Sequence, residues 1–393
     1  MPFYDTSYLI IQPTSTGDFY SDWQDCREQI VSLINNTVGS IFKINIFVNA
    51  EGVENFRVRK QFISNALSNI FGELSPTFAI LAQSPEKPFN LNIEIGIVNS
   101  SDIRIEYRKY KGYHYTIIEN DNHKQLWANG ITDSNPDLNT ETSSINAFEI
   151  VREMLLTENM TFDHIVRQWN YIGSILHTDQ KDQLLIQHYQ IFNDVRNAYY
   201  SRYRSIPDFP AATGIGMDFN DVAIDFCAIT SQHNEMLIAS VNNPKQINPY
   251  SYDQGVLIGT PADGQAQKTP PQFERAKLLQ QYEKSQLFVS GTASILGQET
   301  KGKNDVKEQT RITIENIKSL IARENLIHHC SHLSGATPDK YRYIRVYVKN
   351  NEDITVVKSI CSAYFGNVPI NYVQADICRE DLLVEIEAEL SSK

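Results

Sequence analysis

The sequence predicts an α+β protein assembled from three related units on one chain. Three observations point there. At 393 residues the chain is too long for a single core and fits two or three domains. Its hydrophobic content of 41% with 21% charged residues is that of a globular protein. One order of elements also recurs along it: a strand running into a small residue and a glycine, a polar loop, a helix-period segment, a second strand, a second helix and closing strands.

A shortened copy occupies residues 1–104, with the strand "SIFKINIFVNA", the helical "NFRVRKQFISNALSNIF" and the closing "SPTFAILAQSPEKPFNLNIEIGIVN". The middle copy, 105–250, carries "QLWANGITDS" and then a helix in which Phe148, Ile150, Val151, Met154 and Leu155 share one face. It goes on with the strand "HIVRQWNYIGSI", the helix "YQIFNDVRNAYYSRY" and the closing "FPAATGIGMDFNDVAIDFCAI". The last copy, 280–393, repeats this with "QLFVSGTASILG", a helix on Ile312, Ile317, Leu320 and Ile321, "YRYIRVYVKN", "DITVVKSICSAYF" and "VPINYVQADICREDLLVEIEAEL". Residues 251–279, rich in Pro, Gly and Gln, form either a linker or a functional loop over a site.

A formal charge of −12 leaves no domain-wide basic footprint, which excludes a nucleic-acid or membrane-surface role. Five scattered cysteines, never spaced C-x-x-C, suit free thiols in a reducing compartment. The first residues have no basic stretch followed by an apolar run, and no segment approaches ~18 apolar residues. These features predict a cytoplasmic protein. "HHCSH" (His328 to His332) has metal-ligand residue types but lacks a second cluster, so a polar helix end explains it better. Neither "ATGIG" nor "GTASILG" forms a phosphate-binding loop. No metal and no cofactor are expected.

The segment that bears on chemistry is "ADICREDLLVEIEAEL". Glu385 and Glu387 are two residues apart on a strand and point to one face. That face meets either water or a pocket, and the residues alone leave both open. If "REDL" is a four-residue turn, the flanking strands pair Cys378 with Leu383 and make Cys378 a diagonal neighbour of Glu385, roughly 5.5–8 Å away. A buried cysteine is equally at home as simple packing.

The repeated unit resembles the RidA/YjgF (chorismate-mutase-like) fold, a six-stranded sheet backed by two helices whose members form trimers with pockets between subunits. Three such units imply a pseudo-trimer folded from one chain, and so a monomer. RidA-type deaminases hold the substrate carboxylate with an arginine after the proline that opens the closing strands. Here that position is Ile370 in "VPINY", and "FPAATG" and "SPTFAI" offer no arginine either. Deaminase activity is therefore not expected.

Four stretches in order, "FNDVRNAYY…FPAATGIG", "NPKQ…PPQFERAK", "SGTASILGQET…DVKEQTRITIENI" and "ADICREDLLVEIEAE", resemble the chorismatases, RidA-related enzymes that split chorismate. The resemblance covers roughly residues 190–390. It implies chorismate as substrate, with Glu385 as the catalytic acid that protonates the enolpyruvyl methylene carbon. That job asks for a carboxyl kept protonated by an apolar setting, and Glu385 sits between Val384 and Ile386. Cys378 and Gly291 match the hydroxybenzoate-forming members; alanines at both positions accompany release of a dihydroxycyclohexadiene acid. Two substrate carboxylates ask for arginines. Arg275 matches the family's arginine, Arg345 follows, and Arg196 and Arg379 are further candidates unless they lie in surface ion pairs. The chain departs from the family in a longer, Gln-rich loop after "NPKQ" and in Gln298, where a histidine is usual. The resemblance implies 3-hydroxybenzoate and pyruvate as products. The alternatives are hydrolysis to the diene acid and a non-catalytic module that binds a small acid or a protein.

Overall fold

A computed structural model describes residues 5–99, 103–133, 138–181, 184–219, 221–231, 236–262, 264–327, 329 and 338–392. The "HHCSH" stretch lies outside the described residues except for His329.

The first unit has strands β1 (Thr6–Ile11), β2 (Ser40–Val48), β3 (Thr77–Leu81) and β4 (Leu91–Val98), in the order β1-β4-β2-β3, with helices α1 (Phe19–Asn36) and α2 (Val53–Phe71). The second adds a leading hairpin. Its strands are β5 (Arg104–Tyr110), β6 (Tyr113–Glu119), β7 (His123–Thr132), β8 (Ile165–Gly173), β11 (Ala211–Met217) and β12 (Val222–Ser231), in the order β11-β8-β12-β7-β6-β5. Helices α3 (Thr140–Thr157) and α4 (His188–Tyr203) cover it, and a small hairpin, β9 (Thr178–Lys181) and β10 (Leu184–Gln187), precedes α4.

The third sheet contains β13 (Leu237–Val241), β14 (Ala276–Gln281), β15 (Lys284–Ala293), β18 (Tyr341–Val348), β19 (Ile370–Gln374) and β20 (Val384–Ser391), in the order β13-β14-β15-β20-β18-β19. A two-residue ladder of β16 (Ile295–Leu296) and β17 (Glu299–Thr300) follows β15. Helices α5 (Val306–Leu320), α6 (Arg323–Leu326) and α7 (Ile354–Phe365) complete the unit. Since β13 and β14 pair in this sheet, the third unit starts near residue 237 rather than 280. The expected linker is an insertion within that sheet, between its edge strand β13 and the neighbouring β14. Among the described residues, no helix is long and apolar enough to cross a membrane.

The first helix of each unit begins in the same way. Asp18, Asn139 and Asp305 each accept a hydrogen bond from a first-turn N–H, at Ser21, Thr142 and Lys307 with Glu308. Each sheet then buries one face under its helices. In β20, Val384, Ile386, Ala388 and Leu390 pack there, as Ile93, Ile95 and Ile97 do in β4. The alternate residues face inward, where the three sheets meet around a shared core that includes Phe47, Trp127, Trp169, Phe288, Tyr343 and Tyr347. The inward face of a strand is therefore buried between units, and its polar residues need partners.

Those partners reveal the threefold arrangement. In the three sheets Asn45 sits opposite Glu94, Trp169 opposite Asp225, and Arg345 opposite Glu387. Each of these acids is bound by a neighbouring unit. Glu94 receives Arg345 at 2.5 Å, Glu387 receives Arg167 at 2.8 Å, and Asp225 accepts from Asn45 at 2.7 Å. Two residues earlier on each strand stand Asn92, Ala223 and Glu385. Among these three equivalent positions, the third unit alone offers an acid.

Candidate active site

Glu385 is 5% exposed and lines an enclosed cavity between the second and third units. Unit two contributes Tyr189 at the start of α4 and Ala212 and Gly214 from β11; unit three contributes Gly291, Cys378, Arg379 and Glu385. Tyr252, Leu257, Pro271 and Phe273 from the insertion form the cover. The insertion thus covers this cavity.

No donor among the described residues reaches the Glu385 carboxyl, whereas Glu387, on the same strand face, is saturated. Glu387 accepts from Arg167 (2.8 Å), Trp169 Nε1 (2.8 Å) and Thr213 (2.5 Å), and it lies 3.1 Å from Arg345. The two neighbours therefore divide the roles. Burial lifts the Glu385 carboxyl to about 8, helped by the charge of Glu387 and opposed by Arg167 and Arg275. A carboxyl in that range is mostly protonated at neutral pH and can donate a proton.

A β-bulge in β15 between Val289 and Thr292 brings Gly291 under this carboxyl. A Cβ at Gly291 would overlap Oε1 of Glu385 and stand 2.8 Å from its Cδ. The glycine is what lets the acid lie where it does. Gly291 is also held from the other unit, its N–H donating to Thr213 Oγ1 at 3.0 Å.

Cys378 reaches the cavity by a route other than the expected hairpin. Strand β18 separates β19 from β20, so these do not pair, and Cys378 sits in the bend after β19. Desolvation pushes its thiol up to about 12, with Glu385 adding to the effect. It is a neutral thiol at physiological pH, not a nucleophilic thiolate.

Two guanidinium groups line the cavity. Arg275 donates to the Ile247 carbonyl (2.6 Å) and the Tyr252 hydroxyl (2.7 Å), leaving its buried Nε without a partner. Arg379 donates to the Gln298 carbonyl at 2.7 Å and leaves a buried Nη2 unpartnered. Neither is paired with a carboxylate among the described residues, and both lie near the Tyr252 ring, at 5.7 and 5.1 Å. Each therefore keeps a buried donor that an acceptor in the cavity could engage.

Arg345, expected as a second clamp, is not on the cavity wall. It is 1% exposed and tied up by Glu94, Glu387, Tyr171 and Tyr347 in the inter-unit network. Strand alternation puts it on the inward face, where the equivalent acid of the first unit claims it. Arg196 is likewise buried, on α4, donating to Asn193 at 2.5 Å. It also lies outside the residues that line the cavity. Arg379, by contrast, lines the cavity, although its charged turn reads as surface in the sequence.

Gln298 latches the cover. Its side chain accepts from the Asp253 N–H at 3.1 Å and donates to the Asp253 carboxylate. The enclosed space is about 30 Å³, enough for one or two waters. Outside the cover, a groove of about 1060 Å³ shares Cys378 and Arg379 with the cavity.

Residues 101–228 match the family model described as chorismatase FkbO/Hyg5-like, N-terminal. A 3-hydroxybenzoate synthase from Streptomyces hygroscopicus is 33% identical over 254 residues, spanning 63% of this chain and 68% of the relative. The chain belongs to the chorismatase family. A chorismatase from Streptomyces rapamycinicus is 32% identical over 236 residues, 59% of this chain and 65% of that protein. A chorismatase crystal structure, 21% identical, superposes with a TM-score of 0.67 over 98% of both chains, which fixes the shared chorismatase fold. The third unit's glutamate, glycine and cysteine thus lie in a chorismatase framework.

Proposed function

We propose that this chorismatase converts chorismate to pyruvate and 3-hydroxybenzoate. The observation that supports this most directly is the Glu385 carboxyl: buried, without a donor among the described residues and raised to about 8, beside two guanidinium groups with unused donors. Arg275 and Arg379 hold the carboxylates of the dianion, and the cover excludes water. Glu385 delivers its proton to the enolpyruvyl methylene carbon, creating an oxocarbenium ion and a better leaving group. The ring hydroxyl then displaces the side chain, the arene-oxide-like intermediate opens, and loss of a ring proton completes the aromatic product. Chorismate and the two products balance without added water, whereas the diene acid would require one water. The tight cover around the carboxyl favours the first course. Gly291 and Cys378 shape the space around the acid.

The protein acts as a monomer in this proposal, because the three units already close around one axis, and it needs no cofactor. Cys26, Cys227, Cys361 and Cys378 are free, which supports a cytoplasmic location. Incubation with chorismate in deuterated water tests the reaction. Pyruvate carrying one deuterium in its methyl group, with 3-hydroxybenzoate in equal amount, is the expected result. A non-aromatic diene would assign hydrolysis instead, and the absence of pyruvate would leave a binding module.

A further inference from the structure

The small hairpin before α4 gathers a second cluster of chemically capable side chains. Thr178 pairs with Gln187, and the His188 N–H donates to the His177 carbonyl at 2.9 Å. Two histidines eleven positions apart are thereby held together, with ring centroids separated by 5.0 Å. Asp179, on β9, completes the group.

His188 is 3% exposed, and its Nδ1 lies 3.0 Å from the Gly173 carbonyl. A carbonyl only accepts, so Nδ1 is the donor in that contact and Nε2 is the nitrogen left to face its other neighbours. That Nε2 faces the Asp179 carboxylate at 3.3 Å, another acceptor, and the same oxygen lies 3.7 Å from Nε2 of His177. Lone pairs turned toward one another need a cation between them or an extra proton on the ring. All three ligand atoms lie within 4.8 Å of one another. A tetrahedral ion with bonds of ~2.0–2.1 Å spaces its ligand atoms by about 3.3 Å.

We propose that His177, Asp179 and His188 bind one divalent transition-metal ion of the zinc, cobalt or nickel class, with water filling the open positions. Two imidazoles and a carboxylate suit these borderline ions, and the Gly173 carbonyl is the outer partner that orients a ligating histidine. Asp179 also borders an open cleft of about 780 Å³, which gives the ion a way in. The ion would act as a clip and takes no part in the reaction. His188 is flanked by Gln187, which donates to the Cys378 carbonyl at 3.2 Å, and by Tyr189 on the cavity wall. Binding would pin the hairpin to that wall.

Chelator-treated full-length protein, titrated with Zn²⁺ by calorimetry and with Co²⁺ by visible absorption, tests the site without substrate, so the outcome does not depend on Glu385. One saturable equivalent is expected, and the cobalt spectrum should lack a thiolate charge-transfer band. His177→Gln and Asp179→Asn, both at exposed side chains, should each weaken binding at least tenfold while leaving the circular dichroism unchanged. Absence of saturable uptake, or uptake unaltered in both variants, would overturn the site and leave an imidazolium paired with Asp179.

Discussion

The Glu385 carboxyl lies over the backbone of Gly291, in space that any side chain at 291 would occupy. The acid's aim is therefore set by a missing atom on a strand of the same sheet. Because the overlapping atom is the far end of a flexible side chain, an added methyl moves the acid without breaking the strand. Gly291→Ala should lower kcat and shift the products toward the dihydroxycyclohexadiene acid. Cys378→Ala, which removes a neutral thiol and opens room for water, should shift them the same way. Chromatography of the product mixture decides both, and an unchanged ratio would reduce these residues to packing.

Glu385→Gln should abolish pyruvate formation and also raise stability at alkaline pH. The folded carboxyl, at about 8, binds its proton more tightly than the unfolded one, whose ordinary value is 4.5. Wild-type stability should accordingly fall as pH rises from about 4.5 to 8 and level off above. Each tenfold difference in proton affinity between the folded and unfolded chain is worth ~1.4 kcal/mol, so the loss is on the order of several kcal/mol. Urea melts of both proteins at pH 5 and pH 8.5 should agree at the first pH and separate at the second, with the glutamine variant more stable.

The general acid works only while protonated, so kcat/KM should decline above a pH of about 8. Glu387 contributes to that value through like-charge repulsion. Glu387→Gln should move the declining limb to lower pH, even if the variant is less stable. A limb that stays in place would argue that another group controls it.

Two arginine substitutions should behave in opposite ways. Arg275→Met removes a cavity donor and should lower kcat/KM by roughly 10- to 100-fold, the equivalent of ~1.5–3 kcal/mol for a charge-assisted hydrogen bond. Arg379→Met should do likewise, both with melting temperatures near wild type. Arg345→Met leaves Glu94 buried without its cation and should destabilise by ~3–5 kcal/mol. Its folded fraction should still turn over substrate. Thermal melts alongside kinetics separate the two behaviours.

Much of this was legible in the sequence because strands and helices write their periods locally. The alternation of "VEIEAEL" correctly puts Val384, Ile386 and Ala388 on one face and three glutamates on the other. What it could not show is that the glutamate face is also buried, since the covering surface comes from residues about 170 to 380 positions away, such as Arg167 and Tyr8. Arg345 was misplaced for the same reason: its partner Glu94 belongs to another unit. The His177, Asp179 and His188 cluster is invisible in the sequence because only hairpin closure makes neighbours of its ends.

By itself, the sequence determined the three α+β units, their order, and the strand face on which Glu385 stands, all consequences of short-range periodicity and of one pattern recurring along the chain. Only the tertiary structure decided which acid keeps its proton and which is bound by cations. Glu385 and Glu387 are alike in the chain and on the strand. One meets Arg345 on its own sheet and Arg167, Trp169 and Thr213 from across the unit interface; the other meets a covered cavity, and desolvation without compensation is what holds its proton.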